Sequence, residues 1–175
     1  MEAALSSLRL RVLKGFLFVL CLGACRTQAA LAAGSLLHQQ APEIVRLDLN
    51  HKKLDLNSYR GKLVLLNFWA TWCAPCQLEM PHFVAWQSRY SPRGLQVIGI
   101  SMDDDPALVR ELCGKLRVNY PVAMGDETIG EAYGGILGLP VTYLIDANGE
   151  IRAEYRGEKD LNTIERRMKM LLPRR

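Results

Sequence analysis

The stretch Phe68-Trp69-Ala70-Thr71-Trp72-Cys73-Ala74-Pro75-Cys76 places two cysteines three residues apart, where one kind of local structure gives way to another. Residues 61–68, Gly-Lys-Leu-Val-Leu-Leu-Asn-Phe, form a nearly continuous apolar run, which is typical of a strand buried on both faces. From Pro75 to about Arg89 the apolar residues recur at roughly helical spacing. The sequence therefore predicts that the cysteines lie where a buried strand leads into a helix.

Two cysteines three apart in the first turn of a helix can bring their sulfurs within bonding distance. The unpaired N–H groups and the positive dipole end of that turn favour a thiolate on Cys73, and Pro75 suits the turn because it has no N–H to lose. A zinc site needs four ligands, and the sequence has no second C-x-x-C and no H-x₃₋₅-H. A c-type haem attachment needs histidine where Gln77 stands. We interpret Cys73 and Cys76 as a redox pair without metal or cofactor; a purely structural disulfide and a metal remnant are the alternatives.

Residues 65–81, Leu-Leu-Asn-Phe-Trp-Ala-Thr-Trp-Cys-Ala-Pro-Cys-Gln-Leu-Glu-Met-Pro, resemble the active-site segment of the TlpA/ResA group of thioredoxin-fold thiol–disulfide oxidoreductases, and are also similar to the CcmG/DsbE-type cytochrome c maturation proteins. The resemblance runs from about residue 41 to residue 157. It implies an α/β thioredoxin-like fold: a central mixed β-sheet flanked by helices on both faces, with an N-terminal β extension. It also implies that an exposed Cys73 attacks a substrate disulfide and that Cys76 resolves the product, leaving a Cys73–Cys76 disulfide.

Glu79 is a candidate catalytic residue on the same resemblance. Cytosolic thioredoxins have a buried aspartate as proton acceptor at the strand position of Asn67, and an asparagine cannot take that role. The TlpA/ResA group instead has a glutamate three residues after the second cysteine, which here is Glu79. A partly buried carboxylate one helical turn beyond Cys76 would accept its proton and raise the pKa of the thiols. The alternative is an ordinary helix residue that faces water.

A second informative stretch, residues 138–150, predicts a β-hairpin with its turn at Ala-Asn-Gly. Pro140 at its start resembles the cis-proline that faces the cysteine pair in thioredoxin-fold proteins. The resemblance implies that Leu139 and Pro140 seat an extended substrate in the manner of an added strand, while Trp72 and Pro75 shape the surface around the sulfurs. A trans proline that merely opens an edge strand is the alternative.

Residues 1–33 are predicted to be a leader, and residues 34–175 to be the thioredoxin-like domain. Three basic residues precede the nine-residue apolar segment Phe16–Ala24, which is too short to span a bilayer. Ala30-Leu31-Ala32 fits a signal-peptidase site, whereas Leu22-Gly23-Ala24-Cys25 fits a lipobox that would lipidate Cys25. Soluble export and membrane tethering both stay open. An uncleaved anchor and an amphipathic helix of a cytosolic protein are further alternatives.

The basic character of the chain comes largely from this leader. The formal net charge is +4 at pH 7, and residues 1–32 carry four basic residues and one acidic residue, which leaves +1 for the remainder. No basic stripe occurs in that remainder, so we expect no nucleic-acid partner. Its roughly 140 residues suffice for one domain with an adequate core.

Asp105-Pro106 predicts the start of a further helix, with Asp105 as N-cap. We therefore interpret the acidic run 103–105 as capping rather than as a metal site. Cys113 is expected to face the core from this helix, with a third redox cysteine as the alternative. The apolar stripe predicted to face inward comprises Leu108, Val109, Leu112, Cys113 and Leu116.

The sequence predicts an exported thiol–disulfide oxidoreductase that reduces partner proteins. The resemblance implies disulfide-bearing protein substrates with apocytochrome c as a candidate, and a membrane thiol reductase of the DsbD/CcdA kind as electron donor. One rival is a thiol peroxidase of the peroxiredoxin class, which requires a T-x-x-C setting, but Thr71-Trp72-Cys73 has the wrong spacing. The other rival is a non-catalytic partner-binding module whose disulfide is only structural.

Overall fold

The computed structural model describes residues 35–173. The predicted leader, including Cys25, lies outside the described residues. None of the helices within residues 35–173 is long and apolar enough to cross a membrane. The strands are β1 (Val45–Leu47), β2 (Lys53–Asp55), β3 (Leu63–Trp69), β4 (Leu95–Ser101), β5 (Val122–Met124), β6 (Val141–Ile145) and β7 (Ile151–Arg156). The α-helices are α1 (Ala74–Tyr90), α2 (Pro106–Lys115), α3 (Glu127–Ala132) and α4 (Leu161–Leu171).

The central sheet is mixed and has the strand order β5-β4-β3-β6-β7. Its middle strand, β3, pairs in parallel with β4 and antiparallel with β6, and all seven of its residues are buried. Side chains of a strand point alternately to the two faces of the sheet. Leu63, Leu65 and Trp69 accordingly join one core cluster, with side chains of α1, α2 and α4. Val64, Leu66 and Phe68 join the other, with side chains of α3 and of the N-terminal segment. The predicted thioredoxin-like fold class and the doubly buried strand are confirmed.

The N-terminal extension is the irregular strand pair that the sequence predicts. β1 and β2 pair antiparallel, from Val45 opposite Asp55 to Leu47 opposite Lys53. The Asp48 carboxylate closes the connection between them by accepting hydrogen bonds from the backbone N–H groups of Asn50 and Lys52, each at 2.8 Å. The Asp48 side chain therefore stabilises the turn of this small sheet in addition to its backbone hydrogen bonds.

One predicted core position on α2 is wrong. Val109 is buried, and Leu112, Cys113 and Leu116 pack half-buried against the core, but Leu108 is exposed. At 100° per residue, Leu108 lies about 90° around the helix axis from the centre of the buried face. The short helix α2 buries only the narrow stripe that begins at Val109.

The hairpin of β6 and β7 is confirmed, and its turn uses Asp146. The Asp146 carboxylate accepts hydrogen bonds from the backbone N–H groups of Asn148 at 2.9 Å and Glu150 at 3.0 Å. Gly149 has a φ of 77°, in the left-handed region that favours glycine. β7 therefore returns alongside β6. β6 itself pairs antiparallel with β3, so its first residues lie at the end of the sheet from which the cysteine stretch emerges.

Candidate active site

The cysteine pair lies at the junction of β3 and α1, as the sequence predicts. Cys73 is the N-cap of α1, and its Sγ accepts a hydrogen bond from the N–H of Cys76 at 3.3 Å. A disulfide joins the two residues, with their Cα atoms 5.3 Å apart. Pro75 lies in the first turn of the helix, where a missing N–H costs nothing. Local sequence therefore suffices to place both sulfurs at a helix N-terminus.

The expectation that Cys73 is exposed is wrong for the disulfide form. Cys73 is 5% exposed and Cys76 is 1% exposed. The reason is packing, because the disulfide lies within the same core cluster as Trp69 and Ala70. Cys73 remains the more accessible residue of the two, although only a small part of it faces solvent.

Glu79 is buried rather than facing water. Its side chain is 4% exposed on α1, three residues after Cys76, and its Oε2 has no hydrogen-bond partner among the described residues. Burial raises the pKa of the Glu79 carboxyl to about 7, and the nearby negative charge of Glu158 contributes in the same direction. A carboxyl in this state can hold or release a proton near neutral pH.

Asn67 does not supply a second proton acceptor. The residue is buried in β3, and its Nδ2 donates a hydrogen bond to Thr142 Oγ1 on β6 at 3.0 Å. The amide is therefore a satisfied buried polar group that links two strands. Glu79 remains the carboxyl closest in sequence to the cysteine pair.

The Leu139–Pro140 peptide bond is cis, as the resemblance implies. β6 begins at Val141, which pairs with Phe68 of β3, so Leu139 and Pro140 lie at the sheet end where β3 leads into the cysteines. Leu139 is half-buried and packs against the core cluster that contains Cys73 and Cys76. The fold thus brings together two stretches that are more than sixty residues apart in the chain.

Apolar side chains are exposed around this end of the sheet. Trp72, directly before Cys73, is 71% exposed, and Pro75 is half-buried. Leu137, two residues before Leu139, is fully exposed and was not predicted as a site residue. The signal for it was a leucine in a glycine-rich stretch, Gly134-Gly135-Ile136-Leu137-Gly138, which offers it little to pack against. Exposed apolar groups of this kind commonly mark contact surfaces.

Sequence reasoning also missed the contacts of Asp103. Asp105 does cap α2, accepting a hydrogen bond from the Ala107 N–H at 2.7 Å, as predicted. Asp103, however, is buried and accepts hydrogen bonds from Thr71 and Ser101. Capping therefore explains only part of the acidic run, because its first carboxylate faces the cysteine loop rather than α2. The only available signal was the polar Thr71 within the apolar stretch before Cys73.

Cys113 is half-buried in α2 and lines a cleft of about 370 Å³. Burial raises the pKa of its thiol to about 11. The thiolate is the reactive form of cysteine, so this residue is a poor nucleophile at neutral pH. The structure thus places Cys113 as a partly buried apolar side chain against the core, as the helical stripe predicts.

We expect iodoacetamide to alkylate Cys113 of the folded protein at pH 8 roughly a hundredfold more slowly than an unperturbed cysteine, because so little of the thiol is ionised. Peptide mass spectrometry after timed quenching measures the rate. The same protein in guanidinium chloride is the control, and there the difference should vanish. Equal rates in the folded and unfolded states would contradict the placement of this thiol.

Known proteins with similar sequences and structures agree with this geometry. The AhpC/TSA family model matches residues 37–154. The thiol-disulfide oxidoreductase ResA of Bacillus thuringiensis subsp. konkukian is 35% identical over 137 residues, which cover 77% of this chain and 78% of that protein. ResA of Bacillus subtilis is 30% identical over 134 residues, covering 76% of this chain and 74% of that protein.

A solved structure extends the agreement to the fold. The crystal structure of a thiol:disulfide interchange protein of the thioredoxin family from Chlorobium tepidum superposes with a TM-score of 0.71 at 30% identity. The superposition covers 77% of this chain and 96% of that one. With the disulfide at the helix start and the cis peptide bond beside it, the chain belongs to the AhpC/TSA family and, within the thioredoxin superfamily, to the ResA-like thiol–disulfide oxidoreductases.

Proposed function

We propose that this chain reduces disulfide bonds of partner proteins outside the cytoplasm, with the Cys73–Cys76 pair as its redox group and no other cofactor. The observation that carries the proposal is a disulfide at the first turn of α1 whose first cysteine is the less buried of the two. In the reduced protein, the Cys73 thiolate attacks one sulfur of a partner disulfide and displaces the other. Cys76 then attacks Cys73 Sγ, so that two electrons pass to the partner, which leaves as a dithiol.

The start of α1 favours ionisation of Cys73. The N–H of Cys76 points at Cys73 Sγ, and Cys73 caps the positive end of a 17-residue helix. A hydrogen bond to the charged form and the helix dipole both lower the pKa of a thiol. We therefore assign the attacking role to Cys73 and the resolving role to Cys76.

We assign proton transfer to Glu79. Side chains at positions i and i+3 share a helix face, which brings Glu79 to the side of α1 that carries Cys76. With a pKa of about 7, the carboxyl can take a proton from Cys76 and release it near neutral pH. In its ionised form it raises the pKa of a neighbouring thiol, which favours reducing chemistry.

We expect the partner to dock on the surface formed by Trp72, Pro75 and Leu139. Pro140 is itself buried, so its part in docking is to hold the adjacent Leu139 rather than to offer contact area. Trp72 and Pro75 offer apolar contact area beside the sulfurs. Leu139 has a backbone N–H and C=O that can pair with an extended segment in the manner of an added strand. This mode of docking suits an unfolded or locally extended polypeptide around the disulfide.

The proposed location rests on the leader and the family resemblance. Residues 1–33 have the charge and apolar pattern of an export signal, which leads either to cleavage or to lipidation at Cys25. A disulfide reductase in an oxidising compartment needs a supply of electrons. We propose a membrane thiol reductase of the DsbD/CcdA kind as that supply, and apocytochrome c as the first partner to test, because the chain resembles the TlpA/ResA and CcmG/DsbE groups.

A Cys76→Ser variant tests the proposal, because it retains the attacking thiol and lacks the resolving one. We expect it to accumulate mixed disulfides with exported proteins, and dithiothreitol to release them. The variant lacking both Cys73 and Cys76 is the matched control and should trap no partner. Trapping of cytosolic proteins alone would contradict the location. Peroxide consumption without trapped partners would favour the thiol peroxidase.

A further inference from the structure

A buried carboxylate ties the end of β3 to the end of β4. Asp103 is 9% exposed, and its Oδ2 accepts hydrogen bonds from the Thr71 N–H at 2.8 Å and from Ser101 Oγ at 2.7 Å. Its Oδ1 accepts a third from Thr71 Oγ1 at 2.5 Å. The register of β3 and β4 brings these residues close, because it pairs Trp69 with Ser101, the last residue of each strand, and Thr71 and Asp103 each follow that pair by two residues.

Thr71 is also held from the helix side. Gln77 in the first turns of α1 donates from Nε2 to the Thr71 carbonyl oxygen at 2.6 Å. The backbone N–H, the backbone carbonyl and the hydroxyl of Thr71 are therefore all hydrogen-bonded within the protein. The next two residues are the exposed Trp72 and the cysteine Cys73, so the contacts of Thr71 act two residues before the reactive sulfur.

We propose that Asp103 is a positioning residue for thiol–disulfide exchange. By holding Thr71, it fixes the loop of residues 70–73 so that Trp72 and Cys73 Sγ meet a partner disulfide in one orientation. Exchange requires the attacking sulfur to be aligned with the bond that breaks, and misplacement of a reacting group by about 1 Å can cost roughly a hundredfold in rate. Within residues 35–173, Asp103 makes its hydrogen bonds to Thr71 and Ser101 and none to Cys73 or Cys76, so it acts through Thr71. This inference rests on the proposed reduction of partner disulfides.

A positioning role and an electrostatic role of Asp103 predict opposite effects. Removal of a negative charge near a thiol favours the thiolate, so loss of a purely electrostatic role would leave attack by Cys73 as fast or faster. Loss of a positioning role would slow attack on a partner disulfide while leaving ionisation of the thiol undiminished. The sign of the change in rate therefore separates the two roles.

The test compares Asp103→Asn with Asp104→Asn, which removes the same charge from the exposed neighbouring residue. The asparagine NH₂ group can only donate, so the hydrogen bond at that atom is either lost or replaced by one donated to a hydroxyl oxygen, and the bonds that remain are no longer strengthened by the negative charge. We expect Asp103→Asn to lower kcat/KM for reduction of a peptide disulfide roughly tenfold. Asp104→Asn should stay within about twofold of the wild type. Iodoacetamide alkylation of reduced Cys73 at pH 7 should be no slower in either variant.

Two Thr71 variants keep the proposal falsifiable if Asp103→Asn folds poorly. Thr71→Ser retains both donors and should keep wild-type activity, whereas Thr71→Val loses the hydroxyl and should show part of the defect. The rate at which the wild type reduces the peptide disulfide tests the proposed function. The rate of each variant divided by the wild-type rate tests the positioning role. If Asp103→Asn and Thr71→Val both reduced the peptide disulfide as fast as the wild type, the inference would be overturned. The inference would also be overturned if a variant lost no more activity than its unfolded fraction explains. The same holds if the rates of Cys73 alkylation and of peptide reduction fell by the same factor.

Discussion

Replacement of Cys73 by serine is expected to slow the reduction of insulin or of an apocytochrome c peptide by roughly a thousandfold or more, because a serine hydroxyl is not ionised at neutral pH and cannot form a mixed disulfide. Serine is close to cysteine in size and is a favoured N-cap residue, and Cys73 is the N-cap of α1, so the fold should persist. Turbidity of reduced insulin and mass spectrometry of the peptide thiols both measure the rate.

Cys113→Ser is the matched control for this prediction. It removes a thiol of the same chain, but one whose raised pKa of about 11 makes it a poor nucleophile. Its activity should stay within about twofold of the wild type. Absence of turnover in the wild type, with no further loss in Cys73→Ser, would mean that the pair is only structural and would favour the partner-binding module over the enzyme.

Replacement of Glu79 by glutamine is expected to stabilise the protein at pH 8, because it removes a buried carboxylate that lacks a partner at Oε2. The pKa of Glu79 rises from an ordinary 4.5 to about 7 in the folded state, so the folded protein holds this proton more tightly than the unfolded chain does. Stability of the wild type therefore falls as the pH rises from 4.5 to 7. With partial solvent screening, the loss amounts to about 2–3 kcal/mol above pH 7.

Urea unfolding of the wild type and of Glu79→Gln at several pH values checks this expectation. The two proteins should be nearly equal at pH 4, where the carboxyl is protonated in both states, and should diverge up to about pH 7. Glu158→Gln should show a small part of the same effect, because Glu158 contributes to the raised pKa of Glu79. A constant difference across the pH range would contradict the buried, titrating carboxyl.

The same variant reports on the role of Glu79 in catalysis. If its charge raises the pKa of the thiols, glutamine should lower the pKa values measured by thiol titration of the reduced protein. Unchanged thiol pKa values would refute the assigned role and leave Glu79 as a buried residue of α1 alone. If the Glu79 carboxyl raises the pKa of the thiols, it serves the chemistry of the site at a cost in folding stability.

Sequence patterns determined the local elements of this site by themselves. The apolar run of β3, the helical spacing of α1 and the turn residues of the last hairpin all act over a few neighbouring residues, which periodicity and turn chemistry describe directly. The spacing of Cys73 and Cys76 likewise fixes their place in one helical turn. The roles of Glu79 and Pro140 came from a family resemblance, which is also a property of the sequence.

Only the tertiary structure decided which side chains of separate elements meet. The link from Asp103 to Thr71 spans 32 residues and depends on the parallel register of β3 and β4. The near-complete burial of Cys73 and the exposure of Leu108 and Leu137 depend in the same way on what packs nearby. Local patterns record the shape of each element, but contacts between elements depend on how distant apolar faces fit together, and no short stretch of sequence encodes that fit.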